Sequence, residues 1–298
     1  MKNNSSTSKI HCKTRRPLRS GTSSCMQMKK AMAFAILLMT AMSLQVLGQA
    51  SLNFYGNTNY LSKGSVISTA TTNFTIEAWV KWDGAGGNQA VIYNGNTGGN
   101  GYGIYLNGSG QIQVLMGGAA FVNSGTYLTS GEWTHLAIAR NSNTLTLYKN
   151  GASIVTSTVP PYTPSGNFTI GSNNTGGEIF KGNIDEVRFW TEERSQSQIG
   201  SDMNILALPQ TNLLAYYNFN NGTPNADNTA ITTIPDVTGN GNTLALNNFT
   251  LIGNTSNFVG DAFLMRHFFR LAFLSRFGMG PLVFSSPFLK IHPFFFIF

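Results

Sequence analysis

The 298-residue chain predicts an all-β fold, a single domain of two antiparallel sheets packed as a sandwich. Three observations carry this. Short segments between Ser51 and Leu246 alternate apolar and polar residues with period two, as half-buried strands do. The 32 Gly, with dense Asn, Thr and Ser, punctuate these segments, and Gly and Asn accept the positive φ of tight turns. Helical periodicity is scarce, and strands do not alternate with helices, which excludes a parallel βα architecture.

In order, Ser51-Leu52-Asn53-Phe54 is a strand, and a Gly/Asn turn leads to Tyr60-Leu61. The segment 73–82 alternates strictly: Phe74, Ile76, Ala78, Val80 and Trp82 share one face, and Glu77, Trp79 and Lys81 the other. Ala90-Val91-Ile92-Tyr93 follows. Strands at 102–106 and 111–115 flank the hairpin loop Asn107-Gly108-Ser109-Gly110. Strands at 133–140 and 144–148 come next, the latter ending in Lys149-Asn150-Gly151. Asn-Gly favours a type I′ hairpin, which needs φ > 0 twice. Phe168-Thr169-Ile170 precedes the strand 182–190, with apolar residues at 184, 187, 189 and 190. Thr191–Ile199 predicts one or two helical turns, with Thr191 as N-cap and acids in the first turn. Leu213–Phe219 returns to strand, with Leu214, Tyr216 and Asn218 on one face. Asp236–Asn242 is a turn, and Thr243–Leu246 the last strand.

The formal charge of +7 is concentrated at the ends. Residues 1–49 carry eight basic residues and no acid, residues 50–260 seven basic against eleven acidic, and residues 261–298 four basic against one acidic. The central region is therefore mildly acidic and shows no basic patch for nucleic acid. Residues 1–27 read as a disordered extension, a gene-model artefact. Residues 28–49 read as a signal peptide: Lys29 and Lys30, an apolar run, then small residues near Gly48 to Ala50. That places the protein in the secreted or cell-surface space, or anchored there by an uncleaved leader. Residues 261–298 hold 11 of the 21 Phe without strand periodicity, and read as an aberrant apolar tail. Membrane contact is expected only through the leader or this tail. Both cysteines, Cys12 and Cys25, precede the domain, which excludes disulfides, a thiolate nucleophile and thiolate-bound zinc within it.

Several stretches resemble the laminin-G-like (concanavalin A-like, pentraxin-like) jelly rolls of bacterial secreted and surface proteins. They are Phe74-Thr75-Ile76-Glu77-Ala78-Trp79-Val80, Trp133-Thr134-His135-Leu136-Ala137, Leu147-Tyr148-Lys149-Asn150-Gly151, Gly182-Asn183-Ile184-Asp185-Glu186-Val187-Arg188-Phe189-Trp190 and Leu214-Ala215-Tyr216-Tyr217-Asn218-Phe219. They stand in family order and assign residues 50–255 to the jelly roll. The resemblance implies a non-catalytic extracellular module for binding or adhesion, with a carbohydrate or an extracellular protein as partner. The alternatives it implies are an accessory domain of a secreted glycoside hydrolase, or a structural module of a longer surface adhesin. Some relatives bind Ca²⁺ at the rim. The family's F-D-G-x-x-D-Y reads here Phe54-Tyr55-Gly56-Asn57-Thr58-Asn59-Tyr60, without either acid, so hard carboxylate oxygens are missing there.

The titratable residues point away from catalysis. Hydrolysis of a glycosidic bond needs two carboxylates across one sugar. The family's catalytic relatives present acids at i, i+2 and i+4 of one strand, and no such triplet exists here. Asp185 and Glu186 are adjacent, so regular alternation sends them to opposite faces. Their expected role is structural, with Arg188 or Arg140 as partner and Trp190 closing the core. His135 reads as a hydrogen-bonded sheet residue. No G-x-S-x-G elbow occurs, and the Gly-rich loops lack the Lys-Ser/Thr of a phosphate cradle. For Ca²⁺ the candidates are Asp236 and Asn240, whose D-x-x-G-N-G context also makes an Asx turn. For ligand stacking the candidate is Trp79, with Trp82, Tyr93, Tyr102, Tyr105 and Tyr127 as the other aromatics of the region.

Overall fold

The computed structural model describes residues 50–260, apart from 56, 57, 119 and 205. The expectations for residues 1–49 and 261–298 fall outside the described residues. The first seven strands are β1 (Ala50–Phe54), β2 (Tyr60–Lys63), β3 (Phe74–Trp82), β4 (Gln89–Asn96), β5 (Asn100–Leu106), β6 (Gln111–Met116) and β7 (Ala120–Tyr127). Then come β8 (Trp133–Asn141), β9 (Thr144–Lys149), β10 (Ala152–Thr158), β11 (Phe168–Ile170) and β12 (Gly182–Trp190). The helix α1 (Gln196–Asp202) precedes β13 (Leu213–Tyr217), β14 (Thr233–Ile234), β15 (Leu244–Asn247) and β16 (Phe258–Gly260).

These strands form two eight-stranded antiparallel sheets. Sheet A runs β10-β9-β8-β3-β12-β1-β16, with β13 also on β12; sheet B runs β14-β15-β2-β11-β4-β5-β6-β7. The predicted sandwich is thus the observed one. The predicted inward face of β3 is buried, and Phe74 stacks on Tyr102 of the opposite sheet with ring centroids 4.0 Å apart. Removing apolar area of this kind from water is worth about 2–3 kcal/mol per large side chain. The β9–β10 hairpin turns on Asn150 and Gly151 at φ 51° and 76°, as Asn-Gly predicts.

Three expectations are corrected. The helix begins at Gln196, not at Thr191: Ser195 accepts from the Gln198 N–H and the Gln198 side chain accepts from the Ser195 N–H, a capping box stronger than the Thr191 signal. The last described strand is β16, which pairs with β1 at Ala50 and Gly260, so the sandwich extends past residue 255. In β12, Asp185 stands opposite Trp79 and Arg188 opposite Glu77, which leaves one extra residue between them. That residue is accommodated by a bulge with Glu186 at φ 54°. Asp185 and Glu186 therefore both serve the outer side of sheet A, and the expectation that they face apart fails because the alternation is broken between them.

The two outer faces differ in cover. On sheet A, Ile199 of α1 packs on Ala137, Ala139 and Tyr148. On sheet B, the loop 171–180 folds back over part of the face, where the Ala90 N–H donates to the Glu178 carbonyl at 2.7 Å. Over β5 to β7 the outer face is buried at Tyr105 and Leu115 and exposed at Phe121 and Tyr127.

Candidate functional site

The chemistry-bearing residues of the sequence gather under α1, on the covered face of sheet A. Glu77, at the centre of β3, is fully buried. Its Oε1 accepts from Trp190 Nε1 at 2.8 Å and lies 3.7 Å from Arg188 Nη1; its Oε2 lies 3.4 Å from His135 Nε2. Burial alone raises a carboxyl pKa, but the His135 contact, the Arg188 charge and the Trp190 N–H outweigh it and lower Glu77 to about 2. Arg188 also donates to Glu186 Oε2 at 2.5 Å and to the Asp202 carbonyl at 2.8 Å. Tyr216 donates to the same Glu186 oxygen at 2.5 Å and lies under the Arg188 guanidinium, 5.1 Å away. Arg194 stacks over the Trp190 ring at 3.8 Å and pairs with Asp202. Asp185 is buried, and its Oδ1 accepts from the Glu186 N–H.

No substrate reaches Glu77, His135, Arg188 or Trp190, all fully buried. What the arrangement does is tie α1 and the turn after it to sheet A. Arg140 takes no part: it donates to the Ser142 and Val159 carbonyls at the other end of β8. Trp79 belongs to this layer too. It is 5% exposed, its Nε1 donates to the Met203 carbonyl at 2.6 Å, and its ring edges onto His135. It is therefore unavailable as a stacking platform, because the chain after α1 lies over it.

Asp236 is committed to the chain itself. Its Oδ1 accepts from the Tyr216 and Thr238 N–H groups and the Thr238 hydroxyl, and its Oδ2 from the Asn242 N–H. Asn240 donates to the Leu213 and Leu214 carbonyls and lines a cleft of about 470 Å³ with Leu208, Pro209 and Val237. The two residues form an Asx-stabilised turn, not a convergent set of free oxygens. Among the described residues no cluster of three or more His, Cys, Asp or Glu stands within reach of one metal ion.

The face of sheet B over β5 to β7 is different. The register places Tyr105 opposite Gln113, Gln113 opposite Asn123, Leu115 opposite Phe121 and Gln111 opposite Tyr127, all on the outer side. Tyr93, Tyr105 and Leu115 form a buried apolar cluster with Ala90, and the Tyr93 and Tyr105 rings meet edge to face at 5.7 Å. Gly103 leaves room for the Tyr93 ring: a Cβ there would lie 2.7 Å from Tyr93 Cδ2. Tyr105 in turn supports Phe121 edge to face at 6.2 Å. Phe121 is 43% exposed and Tyr127 49%. Between them Gln113 Nε2 donates to Asn123 Oδ1. Burial and the neighbouring Glu178 push the Tyr105 phenol well above its ordinary pKa, so it stays protonated and donates to Glu178 Oε2 at 3.1 Å. Glu178 Oε2 also accepts from Asn173 at 3.2 Å.

Sequence reading missed this face because it missed β7. Gly117-Gly118 and Ser124-Gly125 interrupt the alternation on both sides of Phe121-Val122-Asn123. The remaining signal is that three-residue alternation and its distance from the β6 hairpin.

Residues 55–200 match the Concanavalin A-like lectin/glucanases superfamily, so the resemblance carried by the strands at 74–80, 133–137 and 182–190 holds. A protein from Bacteroides ovatus, described as a carbohydrate-binding candidate, superposes with TM-score 0.55 and 20% identity, over 71% of this chain and 61% of that one. This chain thus spans less than two thirds of that protein. The sialidase module CBM40 of Ruminococcus gnavus, solved with α2,3-sialyllactose, gives TM-score 0.43 and 13% identity over 51% of this chain and 95% of the module. A heptameric SAP-like pentraxin from Limulus polyphemus gives 0.42 and 14% over 52% and 81%. At these identities the likeness is one of fold. No curated protein matches the chain.

Proposed function

We propose that this concanavalin A-like domain, residues 55–200 with the flanking strands that complete its sheets, is a non-catalytic carbohydrate-binding module. One observation carries the proposal. Phe121 and Tyr127 stand exposed on one sheet face with the amides Gln113 and Asn123 between them. Sugars present apolar C–H faces ringed by hydroxyls, and sites for such ligands combine apolar and aromatic walls with a few placed polar groups. The resemblance in fold to the Bacteroides ovatus protein agrees with this reading. Hydrolysis requires paired carboxylates at the sugar. Glu178, a carboxylate beside this face, is engaged by Tyr105 and Asn173.

A glycan array followed by calorimetry tests the proposal. The protein is expected to bind at least one oligosaccharide without consuming it. Phe121→Ala is expected to weaken that binding by about tenfold or more, about 1.4 kcal/mol. Its half-exposed side chain predicts little change in melting temperature. Product release from the bound sugar, or equal affinity in Phe121→Ala and Tyr127→Ala, would sink it.

A further inference from the structure

We infer that the glycan taken by this face is uncharged and is bound as a chain rather than as a single sugar. The inference rests on the sugar-binding reading above and adds the ligand class. It comes from the register of the whole of sheet B. The outward positions of its eight strands are fixed by pairings such as Ser62 with Thr169, Thr169 with Tyr93, Tyr105 with Gln113 and Gln113 with Asn123. Followed from β14 to β7, those positions are occupied by Thr, Ala, Asn, Tyr, Ser, Gly, Gln, Leu and Phe, and none by Asp, Glu, Lys or Arg.

Among the described residues, Glu178 and Lys149 stand at the margin of the face, each with a partner in the chain. The Glu178 carboxylate accepts from Tyr105 and Asn173. The Lys149 ammonium donates to the Tyr127 carbonyl at 2.8 Å. A carboxylate-bearing sugar pressed onto the outward positions of the strands loses its hydration and meets no guanidinium or ammonium there, Lys149 standing at the margin only, which opposes binding. A hydroxyl both donates and accepts, and so does a carboxamide, so Gln113 and Asn123 match an uncharged sugar.

The length follows from the same register. Phe121 stands opposite Leu115 and Tyr127 opposite Gln111, four residues apart along β6. At a strand rise of about 3.3 Å per residue the two rings are about 13 Å apart along the strand, so one pyranose ring does not cover both.

The test titrates the protein with neutral oligosaccharides (cellohexaose, xylohexaose, mannohexaose, maltohexaose), with their mono- and disaccharides, and with acidic 3′-sialyllactose and trigalacturonate. Neutral hexasaccharides are expected to bind at least about tenfold more tightly than their monosaccharides. Their affinity is expected to stay within about twofold between about 50 mM and about 500 mM NaCl, because no exposed charge pair is screened. Preference for an acidic sugar, a tenfold salt dependence, or full affinity for a monosaccharide overturns the inference and leaves the sugar-binding reading standing. Binding to no glycan, or self-association through Phe121 seen by sedimentation and lost in Phe121→Ala, overturns both.

Discussion

Glu77 is a carboxylate held where water does not reach it, and its ionised form survives because three groups meet it: the His135 imidazole, the Arg188 guanidinium and the Trp190 N–H. The folded protein lowers its pKa from 4.5 to about 2. A depressed carboxylate contributes stability that is present above its ordinary pKa and is lost as pH falls through the folded value. Glu77 thus contributes about 3 kcal/mol at neutral pH, lost between about pH 4.5 and about pH 2. Glu77→Gln is expected to cost about 3 kcal/mol at pH 7, the contribution of the ionised group, since Arg188 keeps Glu186 as its partner. It is also expected to flatten the acid limb of stability in that window. Urea unfolding of both proteins across pH 2 to 7 reads both effects, and an unchanged acid limb in the variant would be the adverse result. The sequence showed that Glu77 and Trp79 share a face. It did not show that His135, Arg188 and Trp190 converge on Glu77, because that depends on which strands are neighbours.

At the scale of elements, hairpins and caps were legible where their chemistry is local. Asn150-Gly151 dictates its turn through two positive φ values, and Asn107 to Gly110 closes β5 on β6 as its composition suggests. Elements broken by irregularity were not legible. β7 loses its alternation at Ser124-Gly125 and went unpredicted, and β12 loses its own at Glu186, where the parity argument for Asp185 and Glu186 failed. The glycine that ends the β5–β6 loop shows how a local rule and a distant contact combine. Gly110 has φ 78°, and a Cβ there would lie 2.4 Å from the Trp82 ring. Gly110→Ala therefore meets backbone strain and a rigid aromatic wall together. The expected cost is about 2–4 kcal/mol. Chemical denaturation measures it, and a loss below about 0.5 kcal/mol would show that the ring simply moves aside.

At the scale of the molecule, the period-two pattern was enough for a two-sheet sandwich, but not for which outer face is covered. α1 and the chain after it cover sheet A and take Trp79 out of play, whereas on sheet B Phe121 and Tyr127 stay exposed beside buried Tyr105 and Leu115. The same limit hid the closing strand, since Phe258-Val259-Gly260 is too short to show a period. Its place shows what it does. β16 pairs with β1, so the last described residues shield the edge of the first described strand. Phe258 is fully buried in the core and packs so closely on Gly222 that a Cβ there would lie 2.2 Å from its ring. With β1 and β16 joined, residues 50–260 contain every strand of both sheets that the structure describes, and that stretch is expected to fold cooperatively by itself. Ending the chain at residue 255 removes β16, empties the Phe258 site and exposes the hydrogen-bonding edge of β1. Loss of a buried Phe alone costs about 3–5 kcal/mol, and a bared edge invites pairing between chains. The chain 50–255 is therefore expected to melt well below 50–260 and to associate on standing. Equal melting temperatures in calorimetry, with both chains monomeric by sedimentation, would mean that β16 closes nothing and that the domain ends earlier than its pairing indicates.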